Sequence, residues 1–373
     1  MKRIWIVVLI GLGVAGIVII LSGHQGIQII QDTTYQYEKS IEQEFTQMKK
    51  GKTGQPLYEV YHDLPVIDVH NHSVEYFHMM ESRNMNHVKS VKELWQQYGI
   101  DHTVLFGDVS EPSAIQTDRL SWRYYQEYPD LIYPSFAGIP LEKGKNGVEK
   151  VQEQLEKGYL NVGEIYAASR FSPSANVRWK GEHPYSGVLP EIYEVVAEYT
   201  TPIMLHIDPP RGKNMSYFRR ALTNHPETLF IFAHGNVYTS PKKFENLLAD
   251  YDNLYIDFFA GFTQYNESSQ YKLRDFVPVI EKYPNQFMLG SDSGVEIGIE
   301  KSYQAMYELI DQLTPATAVK VAYQNYERLI EEQPFTKYQK NRIQELAEEL
   351  MIENKTYRLN KHKANELIFE LSN

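Results

Sequence analysis

Five apolar segments of this sequence run into residues that can bind a metal ion. The binding residues are His70-Asn71-His72, Glu164, His206, His234 and Asp292. In an extended strand, side chains two residues apart share a face, so His70 and His72 can contact one ion. Each feature alone is typical of a buried histidine, a loop start or a helix cap. Together they indicate a centre of imidazoles and carboxylates, if the five segment ends meet in space.

The elements that must bring these residues together recur along the chain. Between Asp63 and Ile330, short runs rich in Val, Ile, Leu and Phe alternate with amphipathic stretches, which is typical of buried parallel strands and helices. The runs are 66–69, 103–106, 131–133, 160–162, 202–205, 229–232, 254–256 and 286–289, and helical patterns include 90–98, 113–127, 147–157, 190–199 and 241–249. Eight such units predict a (β/α)8 TIM barrel of the usual length, about 250 residues. An open doubly wound sheet is the alternative. In a barrel, the carboxyl ends of all strands lie at one face, where the metal-binding residues would converge.

The composition limits what the centre can be. The chain has 373 residues, a net charge of −11 and no cysteine. Thiolate zinc modules and disulfides are therefore excluded, and the acidic balance makes nucleic acid an unlikely partner. Crowded carboxylates repel one another unless a cation lies between them. Imidazole and carboxylate ligands without sulfur favour Zn²⁺, with Mn²⁺, Fe²⁺ and Ni²⁺ as alternatives.

Three segments resemble the opening, sixth and eighth strands of the amidohydrolase superfamily, in its amidohydrolase-2 branch. They are 66–72, 232–236 and 289–292, and residues 322–329 are similar to its closing helix. The resemblance implies that His70, His72 and Asp292 hold one divalent ion, and that His206 and His234 hold or lie beside a second.

Glu164 departs from the carboxylated lysine found at this strand in many members of the superfamily. The segment 162–165 resembles instead the Gly-Glu-Ile of TatD-like metal-dependent nucleases, which implies that Glu164 bridges two ions. In the one-ion alternative, His70, His72, His206 and Asp292 bind the metal and His234 is free for catalysis.

The centre implies a mechanism. A bound ion lowers the pKa of water toward neutrality, so that hydroxide becomes available as the nucleophile. Asp292 would bind the ion and accept the proton, while His234 or a second ion polarises the scissile group. Asp68 is expected either to orient an imidazole or to be a buried carboxylate of the first strand. Arg170 and Arg211 either pair with an anionic group of the substrate or are solvated.

These residues predict a hydrolase that cleaves an amide, ester, lactone or phosphoester of a small-molecule substrate. A metal-dependent decarboxylase and a TatD-like nuclease are the alternative enzymes. Glu164 argues against the decarboxylase, because such lyases typically use one metal without that carboxylate. A non-catalytic scaffold would have no physical need for six convergent polar groups. The sequence makes no prediction of the oligomeric state.

The N-terminal segment predicts a membrane anchor over residues 1–23. Lys2 and Arg3 precede an apolar run, 4–21, that approaches the ~20 residues needed to cross a bilayer. The preceding charges predict a single-pass protein of the cell membrane with an extracytoplasmic catalytic domain. Cleavage at Ser22-Gly23 with secretion is the alternative.

The regions flanking the predicted barrel are helical in pattern. Residues 24–62 are expected to form a stalk. Residues 331–373 are expected to form a helical extension whose apolar stripe, Ile343, Leu346 and Leu350, packs on the barrel or on a partner.

Overall fold

The computed structural model of the chain describes residues 5–11, 14–20, 39–51, 54–72, 87–107, 114–169, 179–208, 210–352 and 359–372. The chain divides into two compact units, Met1–Gly54 and Gln55–Asn373. The second unit contains all six residues of the predicted metal centre.

Eight parallel strands form the interior of the second unit. They are β1 (Ile67–His72), β2 (His102–Phe106), β3 (Ile132–Phe136), β4 (Asn161–Ser169), β5 (Ile203–Asp208), β6 (Phe230–Phe232), β7 (Leu254–Phe258) and β8 (Phe287–Leu289). Each strand pairs with its neighbours in chain order, and each overlaps one of the predicted apolar runs. Asp68 on β1 accepts hydrogen bonds from the backbone N and Oγ of Ser291, just after β8, at 2.8 and 2.6 Å. The sheet is a nearly closed (β/α)8 barrel, so the predicted fold class is confirmed for this unit.

Helices follow or flank the strands. Those described are Leu57–Val60, His87–Gln97, Ala114–Glu127, Gly147–Lys157, Leu189–Glu198, Lys213–Asn224, Pro241–Leu248, Ala260–Tyr265, Leu273–Lys282, Ile299–Gln312, Pro315–Val319, Asn325–Glu331, Lys337–Glu349 and Lys361–Ser372. Their apolar faces and the Val-, Ile- and Leu-rich strands fill a continuous core.

The helix Pro241–Leu248 shows how local sequence sets an element's boundary. Ser240 caps its amino end by accepting a hydrogen bond from the backbone N of Lys243, and proline occupies the first turn. Its buried side chains include Phe244, whose ring centroid lies 6.0 Å from that of Phe287 on β8. The helix is thereby fixed against the strand that leads to Asp292.

The two C-terminal helices begin beside the segments that lead into β4 and β5, where Thr336 bonds the Glu156 carbonyl and Lys361 bonds Thr201. Ile343 and Leu346 of the predicted stripe are buried, whereas Leu350 is half exposed. Lys361 is fully buried, and its Nζ donates a 2.7 Å hydrogen bond to Thr201 Oγ1 before β5. Most of the extension therefore packs on its own unit.

The predicted transmembrane anchor and membrane localisation are wrong. Trp5–Gly11 and Val14–Ile20 form an antiparallel pair of strands. No helix within the described residues is long and apolar enough to cross a bilayer. The segment is rich in Val and Ile, whose branched side chains favour extended backbone, and hydrophobicity alone does not separate strand from helix.

The predicted stalk is helical over residues 39–50, and its part from 24 to 38 lies outside the described residues. Its last residues belong to the barrel unit. There Tyr61 is fully buried and its hydroxyl donates a hydrogen bond to Asp311.

Candidate metal centre

Six predicted ligands from five strands meet at the carboxyl-terminal end of the barrel. Their ligating atoms form two groups, and within each group these atoms lie within 4.8 Å of one another. The first group is His70, His72 and Asp292, and the second is Glu164, His206 and His234. The sheet thus brings together side chains from β1, β4, β5 and the ends of β6 and β8.

The first group presents two imidazole nitrogens to each other. His70 Nε2 lies 3.3 Å from His72 Nε2 and 3.5 Å from Asp292 Oδ1. His70 Nδ1 bonds Asp257 Oδ2 at 2.7 Å, and His72 Nδ1 bonds the Gly107 carbonyl at 2.8 Å. Because a carboxylate and a carbonyl only accept, both Nδ1 atoms carry hydrogen, and if both rings are neutral their Nε2 lone pairs face each other. A cation between them removes this repulsion, so the donor set fits a divalent metal ion.

The second group is arranged around one carboxylate oxygen. Glu164 Oε1 lies 2.9 Å from His206 Nδ1 and 3.1 Å from His234 Nε2. The two imidazole nitrogens are themselves 2.9 Å apart. These three atoms could hold a second ion.

Glu164 also reaches the first group. Its other oxygen, Oε2, lies 3.6 Å from His70 Nε2 and 3.8 Å from His72 Nε2. The side chain is almost completely buried, so it is held between the groups rather than in solvent. One oxygen faces each group, which is the arrangement that a bridging ligand needs.

The charges of the cluster shift its pKa values strongly. Burial would lower the pKa of His70, but the negative charges of Glu164, Asp292 and Asp257 raise it well above its ordinary value. Burial would raise the pKa of Glu164, but the charges of His70 and His206 hold it well below its usual range. Burial raises the pKa of Asp292 despite the opposing charges of His70 and His234. Protons therefore compete with a metal ion for these atoms, and ion binding would release them.

Two of the residues adopt backbone conformations that are sparsely populated outside glycine. His234 has φ 35° and Asp292 has φ 46°. Left-handed backbone of this kind costs on the order of 1–3 kcal/mol and occurs preferentially at functional sites. At both positions it directs the side chain that follows a barrel strand into the cluster.

Among the described residues, the hydrogen bonds of Asp68 go to groups other than imidazole rings. Its carboxylate accepts hydrogen bonds from Ser291, from the backbone N of His70 at 3.1 Å and from Asn71 Nδ2 at 3.0 Å. Burial raises its pKa to about 6, although the bonds from Ser291 oppose this. Asp68 thus joins β1 to the residues just after β8, because the first and last strands lie side by side where the barrel closes.

The structure describes one of the two predicted substrate-binding arginines. Arg170 lies outside the described residues. Arg211 is exposed and lines a second cavity, of about 370 Å³, together with Ser169, Asp208 and Lys213. Asp208 also lines the cavity at the metal centre, so the two cavities adjoin at this residue.

Two carboxylates that sequence reasoning missed orient the ligands. Asp257 at the end of β7 bonds His70, and Asp208 at the end of β5 lies 2.6 Å from His206 Nε2 through its Oδ2. With Glu164 on its other nitrogen, His206 has a pKa of about 9, although burial would lower it. The sequence feature that could have identified them is an acidic residue at the end of a predicted strand. Asp208 also follows the candidate ligand His206 by two residues.

The cavity at the metal centre, about 210 Å³ in volume, has a mixed lining. Its apolar wall consists of Val237, Tyr238, Phe259, Phe262 and Val295, and its other lining residues include Ser268, Asp208 and Glu296. The cavity adjoins four of the six candidate ligands, Glu164, His206, His234 and Asp292.

Comparison with known proteins identifies the class. The sequence profile of the amidohydrolase-2 family, described as Amidohydrolase, matches residues 67–330. The chain belongs to this family, and it is a metal-dependent enzyme of the amidohydrolase superfamily. No curated protein matches the sequence.

Solved structures agree on the fold. A TIM-barrel protein of Bordetella bronchiseptica aligns with a TM-score of 0.54 and 17% identity, over 71% of this chain and 98% of its own. A protein of Acinetobacter baumannii named as a probable 2-pyrone-4,6-dicarboxylic acid hydrolase has a TM-score of 0.50 and 14% identity, over 71% and 98%. A TatD family hydrolase of Entamoeba histolytica has a TM-score of 0.50 and 10% identity, over 71% and 97%. At these identities the likeness supports the barrel architecture alone.

Proposed function

We propose that this chain is a hydrolase that uses a two-ion centre, with Zn²⁺ as its metal, to cleave an amide, ester, lactone or phosphoester of a small molecule. The observation that supports this most strongly is the position of Glu164, with one carboxylate oxygen toward each ligand group. His70, His72 and Asp292 would hold one ion, and His206 and His234 the other. Such ions supply Lewis acidity, which lowers the pKa of water and polarises the scissile group.

The protein's own groups supply proton transfer and orientation. Two of the six candidate ligands are carboxylates. The side chain of Asp292 is the more exposed of the two, at 14% compared with 3% for Glu164. It also lines the cavity in which a substrate would bind. We assign to Asp292 the acceptance of a proton from water and its transfer to the leaving group.

Substrate binding would use the two adjoining cavities. The apolar wall around Phe259 and Phe262 suits an uncharged or aromatic portion of the substrate. Arg211, in the second cavity, would pair with a carboxylate or phosphate at the far end of a longer substrate. Arg170 would act in the same way.

Glu164 also bears on the choice between reaction classes. A hydrolase with two ions requires a ligand shared between the groups, and Glu164 is placed to be one. The decarboxylase alternative requires a single ion and gives Glu164 no role. The TatD-like nuclease is a variant of the hydrolase, and the acidic lining of the cavity, Asp208 and Glu296, disfavours a polyanionic substrate.

Metal analysis of the purified chain tests the proposal. We expect two equivalents of divalent metal in the unchanged protein, and about one after His70→Ala, which removes a ligand of the first ion only. Glu164→Gln should lose both equivalents together if the carboxylate is a bridge. If the unchanged protein bound one equivalent of metal and Glu164→Gln still bound it, the bridging role of Glu164 would be refuted. Activity on a panel of neutral esters, lactones and phosphoesters then separates the hydrolase from the decarboxylase, which would release CO₂ from aromatic acids instead.

A further inference from the structure

Asp257 belongs to neither ligand group, yet it contacts both. It lies on β7, the barrel strand between those that lead to His234 and Asp292, and it is fully buried. Its Oδ2 accepts hydrogen bonds from His70 Nδ1 and from the backbone N of His234, each at 2.7 Å. One carboxylate oxygen therefore connects a ligand side chain of the first group with the ligand backbone of the second.

Each of these bonds fixes a different property. The bond to His70 keeps hydrogen on Nδ1, so that Nε2 faces His72 with a free lone pair. The bond to the His234 backbone holds a residue whose φ of 35° is sparsely populated. That conformation directs His234 Nε2 to within 3.1 Å of Glu164 Oε1.

Gly290 makes room for this carboxylate. A Cβ at position 290 would lie 1.9 Å from Asp257 Oδ1 and 2.9 Å from His70 Cβ. Oδ1 is also buried, and among the described residues it has no hydrogen-bond partner. The carboxylate thus packs closely against Gly290, the residue after β8, and Oδ2 accepts both of the hydrogen bonds described above.

We propose that Asp257 is a positioning residue that couples the two ligand groups, so that both ions of the proposed centre depend on it. This inference rests on the proposed function. Asp208 provides a natural comparison, because its carboxylate contacts the ring of His206, a member of the second group. Carboxylates that orient metal-binding imidazoles typically change metal affinity by about 10–100-fold when they are removed.

The test compares Asp257→Asn with Asp208→Asn in the full chain. Zn²⁺ affinity is measured by competition with a chromophoric chelator, and the melting temperature of the metal-free protein is measured alongside. We expect Asp257→Asn to lower the affinity about 10–100-fold at both steps of binding. We expect Asp208→Asn to lower it at one step only.

The outcomes separate the inference from its alternatives. A merely structural role would lower the melting temperature of metal-free Asp257→Asn and leave its Zn²⁺ affinity within about threefold of the unchanged protein, which would overturn the inference. A loss confined to one step would overturn the coupling. If Asp257→Asn fails to fold, Asp257→Glu takes its place, since the longer side chain moves the carboxylate away from its two donors, and the same loss at both steps is expected. Failure of the unchanged protein to bind Zn²⁺ would overturn the metal centre itself.

Discussion

His70 Nε2 and His72 Nε2 face each other at 3.3 Å, and each ring donates its other nitrogen's hydrogen to an oxygen of the barrel. Two neutral imidazoles cannot form a hydrogen bond in this arrangement, so either a proton or a cation must lie between them. A bound ion in this position would therefore add to the stability of the barrel.

Removal of the metal should therefore lower the melting temperature. An ion present at 100 times its Kd stabilises the folded chain by about 2.7 kcal/mol, which corresponds to roughly 5 °C for a domain of this size. Scanning calorimetry of the chelated and the Zn²⁺-reloaded protein measures the difference. His72→Ala should show a smaller increase on reloading, since it removes a ligand of the first group; an unchanged increase would exclude His72 as a ligand.

Ion binding should strengthen as the pH rises. In the ion-free cluster the pKa of His70 is raised well above its ordinary value, so Zn²⁺ must displace a proton. Calorimetric titration in two buffers of different ionisation enthalpy should show net proton release at pH 7. An enthalpy independent of the buffer would contradict this expectation.

Asp292→Asn should reduce kcat by about 10²–10⁴-fold, because the amide cannot accept the proton. Asp252→Asn, an exposed carboxylate on the turn before β7, is the matched control and should leave kcat unchanged. Single-turnover rates with saturating Zn²⁺ measure the effect apart from metal loss. A decrease of less than threefold would remove Asp292 from proton transfer.

Arg211→Ala should raise KM for an ester that carries a distal carboxylate by about 10-fold, and leave KM for its uncharged analogue unchanged. The control is Arg219→Ala, on the helix that follows, whose guanidinium pairs with Asp250 at 2.9 Å. Equal effects of Arg211→Ala on both esters would exclude an anion-binding role.

Lys361→Met tests the charge state of the buried lysine at the start of the last helix. Burial lowers the pKa of Lys361 from 10.5 to about 7, so between these values the unfolded chain holds a proton that the folded chain has lost. This group's contribution to stability therefore rises with pH from about 7 to 10.5.

The methionine variant lacks this titration. At pH 6 it should be more stable than the unchanged chain by about 1–3 kcal/mol, because an apolar group replaces a buried charge. The advantage should disappear by pH 10. Urea unfolding midpoints over this range measure the difference, and a gap that does not change with pH would show that Lys361 stays charged when it is buried.

The sequence predicted the barrel and the grouping of the six ligands because both depend on local features. Each strand is an apolar run, and each ligand stands at or near the end of one, so a closed parallel sheet places the ligands together. Asp257 and Asp208 could not be distinguished from ordinary acids at strand ends, since their partners are distant in sequence. Asp68 was expected either to orient an imidazole or to be a buried carboxylate of the first strand; it is buried and bonds Ser291, because barrel closure places the end of β8 beside it.

The prediction for the N-terminal segment was wrong for a different reason. Residues 4–21 are apolar enough for a membrane helix, but Val and Ile in this proportion also form strands. Hydrophobicity indicates that a segment will be buried. Whether the segment forms a helix or a strand also depends on which residues its backbone pairs with, and its hydrophobicity does not show this.

The ligands of the first group stand on opposite sides of a seam. His70 is on the opening strand of the sheet and Asp292 follows the last one, where Ser291 and Asp68 join the two edges. If an ion is held by both side chains, as proposed, it would join the two edges across this seam. Any parting of the edges would then pull its ligands apart, so release of the ion and opening of the cylinder would be thermodynamically linked, and no half-barrel fragment could assemble the complete ligand set.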